Sequence, residues 1–169
     1  WSSDVCSSDL LVRSAVTESA DPGPLPAPHD LSVPGTLSGP VPVRFLAFRL
    51  VPGTDLRQGI LEGVGTTPAA FVATCVGSLR HVTLRMADAE AGTLLQGPFE
   101  IVSLVGTLEP GGGHLHLAVA DAEGRMTGGH LLEGSAVHTT AEVVLGFLEG
   151  VRFSRTFDAR SGYDELDVN

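Results

Sequence analysis

Lysine is missing from this chain altogether, and all ten of its basic residues are arginine. Twenty acidic residues stand against them, giving a formal charge of −10 at pH 7. Such a surface repels phosphate backbones unless the arginines gather in one place, so nucleic acid is a poor default partner. The all-arginine set fits GC-rich coding better than a binding adaptation. Also absent is any apolar run of about 18 residues that could cross a bilayer, or a charged segment leading into an apolar one with a small-residue cleavage site. The expectation is a soluble, cytoplasmic protein without a membrane partner. There is no Gly-x-Ser-x-Gly elbow and no phosphate loop, which removes two common kinds of catalytic site.

Cysteine is nearly absent: Cys6 and Cys75 are the two. Cys6 belongs to residues 1–10, which back-translate without strain to the end of a common sequencing-library adapter and are set aside as an artefact. Cys75 then stands alone, no intrachain disulfide is possible, and a reducing compartment is expected. In its apolar segment it reads as a small hydrophobe, with no adjacent base to make it a nucleophile. With that segment removed the natural amino terminus is not fixed by the sequence.

What remains suits one domain with an extension: 169 residues, 43% hydrophobic, mean hydropathy +0.22. Residues 11–42 are dense in proline from Pro22 to Pro42 and read as a disordered arm or linker, with His29 a solvated side chain. Order is expected over residues 43–157. After a first strand and a turn at 51–53, Asp55 and Gln58 resemble a capping box opening a helix whose apolar face is Leu56, Ile60, Leu61 and Val64, with Gly65 as its stop. Gly59 and Gly63 weaken that helix by about 1 kcal/mol each, so it must lean on tertiary packing. Strand candidates follow at 69–76, 81–86, 99–108, 137–147 and 151–157, and the polar tail 158–169 is expected to fray. One early helix and many hairpin-like connections give an α+β fold with a largely antiparallel sheet.

Between these strands lies the chemistry. His114 and His116 are two apart and share a strand face. Residues 121–125 read as a turn with a three-residue loop whose last position, Gly124, accepts a left-handed backbone. That register sets His116 opposite His130, and Cβ atoms of such pairs are about 4.5–5.5 Å apart, so three imidazoles can converge on one ion. A divalent metal, zinc first, with an open fourth position is the implied cofactor; hydrogen bonding across the hairpin or an interface is the alternative role. Glu133 and, more weakly, Glu100 are the candidate catalytic carboxylates beside such a metal. Arg80 and Arg85 offer fixed positive charge to an anion, with surface ion pairing as the simpler account. His81 and His138 lack a partner at an informative spacing. Gly128 and Gly129 read as close packing rather than a ligand approach.

Gly97-Pro-Phe-Glu100-Ile-Val-Ser103-Leu-Val-Gly106, then His114-Leu-His116 with Asp121 and Gly124, then Gly128-Gly-His130-Leu-Leu-Glu133-Gly134, together with Thr139-Thr-Ala-Glu142 and Gly77-Ser-Leu79, resemble the plant and prokaryote conserved (PPC) domain, in its stand-alone prokaryotic type. The resemblance implies a mainly antiparallel sheet with few helices and assembly as a homotrimer. Plant members carry AT-hooks for A·T-rich DNA. No Arg-Gly-Arg-Pro core occurs here, so that minor-groove insertion does not carry over and DNA association rests on the family label alone. The fold also resembles that of acetolactate decarboxylase, a zinc enzyme with a His-x-His pair and a further histidine, which by analogy favours metal at His114, His116 and His130. Two functions follow as expectations: a homotrimeric binding or regulatory module for a small-molecule or protein ligand, or a metal-dependent lyase or hydrolase acting on a small anionic carbonyl compound.

Overall fold

The computed structural model describes residues 40–169. The adapter-like segment and all but the end of the proline-rich arm, His29 included, lie outside the described residues. Nine elements follow in order: β1 (Val43–Leu50), α1 (Leu56–Val64), β2 (Ala70–Arg85), β3 (Thr93–Glu109), β4 (Gly112–Ala120), β5 (Met126–Leu131), β6 (Ala136–Leu148), β7 (Phe153–Asp158) and β8 (Tyr163–Val168). Six strands make one antiparallel sheet in the order β1-β6-β2-β3-β4-β5, and β7 and β8 form a separate hairpin. This is the α+β, largely antiparallel architecture that one early helix and many hairpin-like connections imply.

Helix α1 forms where its signals predict. Leu56, Ile60 and Val64 are buried on one stripe, and Gly65 closes the helix at φ 57° with its N–H on the Leu61 carbonyl. Asp55 Oδ1 accepts from the Gln58 backbone N–H at 2.9 Å, but the Gln58 side chain turns to Glu62 instead of reaching back, so only half of the capping box exists. The other half of Asp55 works at long range: Oδ2 accepts from the backbone N–H groups of Gly134 and Ser135 at 2.8 and 2.9 Å. The helix glycines are explained by packing. A Cβ on Gly59 would meet the Leu50 methyls at 2.7 Å, and one on Gly63 the Phe48 ring at 2.7 Å, so both let α1 lie close on β1.

Three expectations are corrected. The segments 69–76 and 81–86 are one bent strand, β2, because Gly77 does not break the ladder: it stays paired with Ala141, and any Cβ there would strike the Thr140 carbonyl. Strand β3 begins at Thr93 rather than 99, since Pro98 falls where the β2–β3 register shifts between Leu79 and His81 and no ladder N–H is required. The tail does not fray. Tyr163–Val168 pairs residue by residue with Phe153–Asp158, and Arg152 and Asn169 exchange backbone hydrogen bonds at its open end.

The bend of β2 decides the shape. Its first part pairs with β6, and its last two residues pair with β5, Leu84 with Leu131 and Arg85 with His130. Strands β2 to β5 thereby curl into a closed ring around Leu79, Val82, Leu84, Leu108, Leu115, Leu117, Val119 and Leu131, all essentially inaccessible. Each such side chain contributes about 1.5–3 kcal/mol on burial.

Asp55→Ala removes a helix cap and both turn bonds, and should cost about 2 kcal/mol or more in urea denaturation, against about 0.5 kcal/mol for a cap of little consequence. At the β7–β8 turn, hydrogen bonds from the Arg160 side chain and backbone pull the Asp158 carboxyl down to about 2. Its stabilisation is therefore complete above the unfolded value of about 3.9 and is withdrawn as pH falls through about 2. Amide exchange in the hairpin, corrected for its intrinsic pH dependence, should show constant protection from pH 7 to about 5 and a fall below about 4. Asp158→Asn should lower the protection already at neutral pH.

Candidate metal centre

The hairpin β4–β5 is set by its turn. The Asp121 N–H donates to the Arg125 carbonyl, Gly124 returns its N–H to Asp121 at φ 78°, and Asp121 Oδ1 caps the N–H groups of Glu123 and Arg125 at 3.0 and 2.9 Å. This is the three-residue loop of the sequence reading, and it puts His116 directly opposite His130. The neighbouring ladders extend the pairing on both sides, Val105 opposite His116 and Arg85 opposite His130. Directly paired residues of antiparallel strands point to the same side. Val105, His116, His130 and Arg85 therefore form one row across four strands, on the face away from the core. His114 lies beside the row, opposite Thr107.

Gly128 and Gly129 serve this packing. A Cβ on Gly129 would meet the Arg85 carbonyl at 2.7 Å, and one on Gly128 the Leu117 carbonyl at 2.9 Å.

The three imidazoles converge. Their ring centroids are 4.8, 5.1 and 5.7 Å apart, the Nε2 atoms of His114 and His116 are 3.0 Å apart, and one nitrogen from each ring lies within 4.8 Å of the other two. Nitrogens bound tetrahedrally to one zinc at about 2.0–2.1 Å would be about 3.3 Å apart. The first pair is already within about 0.3 Å of that spacing. His130 Nδ1 is buried without a hydrogen-bond partner among the described residues. Burial first, then the charges of His114 and Arg85, push the His130 pKa down to about 4. That of His114 is lowered by burial, then by His116 and Arg155, against an opposing pull from Glu165. Neutral imidazoles at neutral pH are the form that binds metal.

The cluster opens into a cavity of about 810 Å³ shared with Arg85, Arg155, Tyr163 and Glu165. The last three come from the β7–β8 hairpin. Arg155 holds that hairpin against β3, donating from Nε to Glu109 Oε1 at 3.0 Å and from Nη2 to Thr107 Oγ1 at 3.1 Å.

The carboxylates singled out in the sequence are not brought here. Glu133 is exposed beside Arg57 at 3.5 Å, and Glu100 is exposed between Ser78 and Ala120 on its neighbouring strands. The acidic residues that do line the cavity, Asp164 and Glu165, lie in the segment expected to fray, and Glu165 is the one whose charge reaches His114. Their sequence signal was Gly162 between two short segments whose apolar residues fall at even spacing, Phe153 with Phe157 and Leu166 with Val168. His81 and His138 stand outside the cluster, and Arg80 lies outside the cavity. Cys75 is buried, and burial pushes its thiol up to about 11, too high for a nucleophile at neutral pH.

Comparison with known proteins agrees with this fold. A solved structure of a hypothetical protein from Salmonella enterica superposes with a TM-score of 0.75 at 47% identity, covering 78% of this chain and 96% of the other. The metal-containing protein of Archaeoglobus fulgidus superposes with a TM-score of 0.64 at 28% identity, covering 75% and 95%. In sequence, the chain is 48% identical over 128 residues to the bifunctional protein GlmU of Synechococcus sp. (strain JA-3-3Ab), a match spanning 75% of this chain but 21% of that protein. Residues 38–149 match the Plants and Prokaryotes Conserved (PCC, or PPC) domain, and with two thirds of its length accounted for in this way, the chain belongs to that family.

Proposed function

We propose that this domain is a metal-binding module that holds one divalent ion, zinc by preference, on His114, His116 and His130. The convergence of three ring nitrogens within 4.8 Å of one another, with His130 Nδ1 buried and unpartnered among the described residues, carries the reading. Three neutral imidazoles suit a borderline divalent ion, and the adjoining cavity leaves a coordination position open to water or a ligand. The metal-containing relative from Archaeoglobus fulgidus, similar over most of both chains, supports it. A buried, free Cys75 suits a reducing cytoplasm. Within the much larger GlmU relatives the matching part is about a fifth of the protein, which supports a module attached to a larger machine.

The module self-associates, as a homotrimer by its family resemblance. Phe45, Val76, Val102 and Val105 expose between 50% and 64% of their surface on the strands of the main sheet, apolar area that a second copy would cover. DNA is a weak partner for a chain of charge −10. The open position beside three histidine ligands favours a second reading, a metal-dependent lyase or hydrolase. In that case Glu165 is better placed than Glu100 or Glu133 to move a proton near the ion.

Elemental analysis of purified protein should find close to one divalent ion per chain, and His116→Ala should lose it while circular dichroism stays unchanged. Wild-type protein that takes up no zinc, cobalt or nickel at neutral pH would overturn the metal reading. Light scattering should give about three times the chain mass, with a monomer at micromolar concentration as the contrary result.

A further inference from the structure

Resting on the metal reading, we propose that the histidine cavity accepts a small organic monocarboxylate, anchored by Arg85, and does so only after the ion is in place. Three observations converge on that ligand class.

The first is position. Arg85 is the direct cross-strand partner of His130 and lies on the same sheet face, so its Cβ is about 4.5–5.5 Å from that of the histidine. Its guanidinium carries five N–H donors in a planar fork suited to a carboxylate. Among the described residues Arg85 forms no ion pair, although it is half-buried at the cavity wall. The other arginine of the cavity, Arg155, is already held by Glu109 and Thr107. Arg85 is thus the guanidinium left to recognise an anion.

The second is charge. Glu165 is the carboxylate whose charge reaches His114, while Asp164, its neighbour on β8, points to the opposite face of that strand. With Arg155 offset by Glu109, Arg85 and Glu165 balance one another, so the cavity alone offers an anion no net attraction. A divalent ion on the histidines makes the cavity positive, and an anion then lowers that charge. Metal uptake and anion uptake are therefore coupled in that order.

The third is the rest of the lining. Met86, Ala87 and the Tyr163 ring give the mouth apolar surface, which suits a carbon skeleton better than a bare inorganic ion. Tyr163, exposed on β8, adds a hydroxyl that hydrogen-bonds an oxygen next to the carboxylate.

Ligand-observed NMR titration of the full chain with L-lactate tests this, with sulfate as the dianionic competitor and zinc content measured on every sample. Lactate should bind the zinc-loaded protein at one site per chain, and at least about tenfold more weakly the chelator-treated protein and zinc-loaded Arg85→Gln, the loss expected for one charge-assisted pair. Arg80→Gln, off the cavity, should bind as wild type. Sulfate should displace lactate only at higher concentration than lactate itself needs. Equal lactate affinity with and without zinc, unchanged affinity in Arg85→Gln, or tighter binding of sulfate would overturn the proposal. Full zinc occupancy with no lactate binding would overturn this inference alone, whereas protein that never takes up metal would remove the metal reading and this one with it.

Discussion

The pairing of Leu84 and Arg85 with Leu131 and His130 is the contact on which the rest of the molecule turns. It closes strands β2 to β5 into a ring, and it fixes which side of that ring each residue faces. Leu84 and Leu131 point into the core while Arg85 and His130 point out, and a slip by one residue would exchange the two sets. Burial of leucine and display of imidazole are consequences of one register. The free energy that holds the histidines together comes from the leucines behind them, since neutral imidazoles offer one another little and nearby charge is unfavourable to their protonation.

The β7–β8 hairpin depends on a different kind of contact. It is a two-stranded unit, marginal on its own, and the bonds from Arg155 to Glu109 and Thr107 tie it to β3 near His114. The pair is largely shielded, with side chains 19% and 15% exposed, and Glu109 Oε2 is buried without a partner among the described residues. Ion pairs of this sort contribute less to stability than to orientation, because desolvation offsets much of the attraction. Here the orientation brings Tyr163 and Glu165 over the histidine face, beyond the end of the region matched by the family.

The local parts of this structure were legible in the sequence. Asp55 and the stripe of Leu56, Ile60 and Val64 announce the helix, and the alternation from His114 to Ala120 with the turn at Asp121 and Gly124 announces the hairpin and its register. Contacts between distant segments were not. Nothing near Arg85 says that it will meet His130, because that pairing needs β2 to bend and change partners. Gly77 and Pro98 read as breaks because local rules treat them so, whereas tertiary pairing absorbs both at register shifts. Glu100 and Glu133 read as candidates for the acid–base chemistry a carboxylate performs beside a metal, and the sheet carries both elsewhere. The tail 158–169 reads as fraying because it is polar, and polar residues are what the solvent-facing side of a hairpin requires.

The Asp55 carboxylate has a kinetic side as well. One oxygen caps a helix formed early in the chain, and the other waits for backbone groups 79 and 80 residues further on. At a synthesis rate of about 5–20 residues per second, that stretch takes roughly 4–16 s to appear. For all of that interval residues 56–64 have neither their second anchor nor the β6 strand they pack against, and their apolar side chains stay open to chaperones or to wrong partners. Completion of the domain on the ribosome is therefore gated by its last long strand.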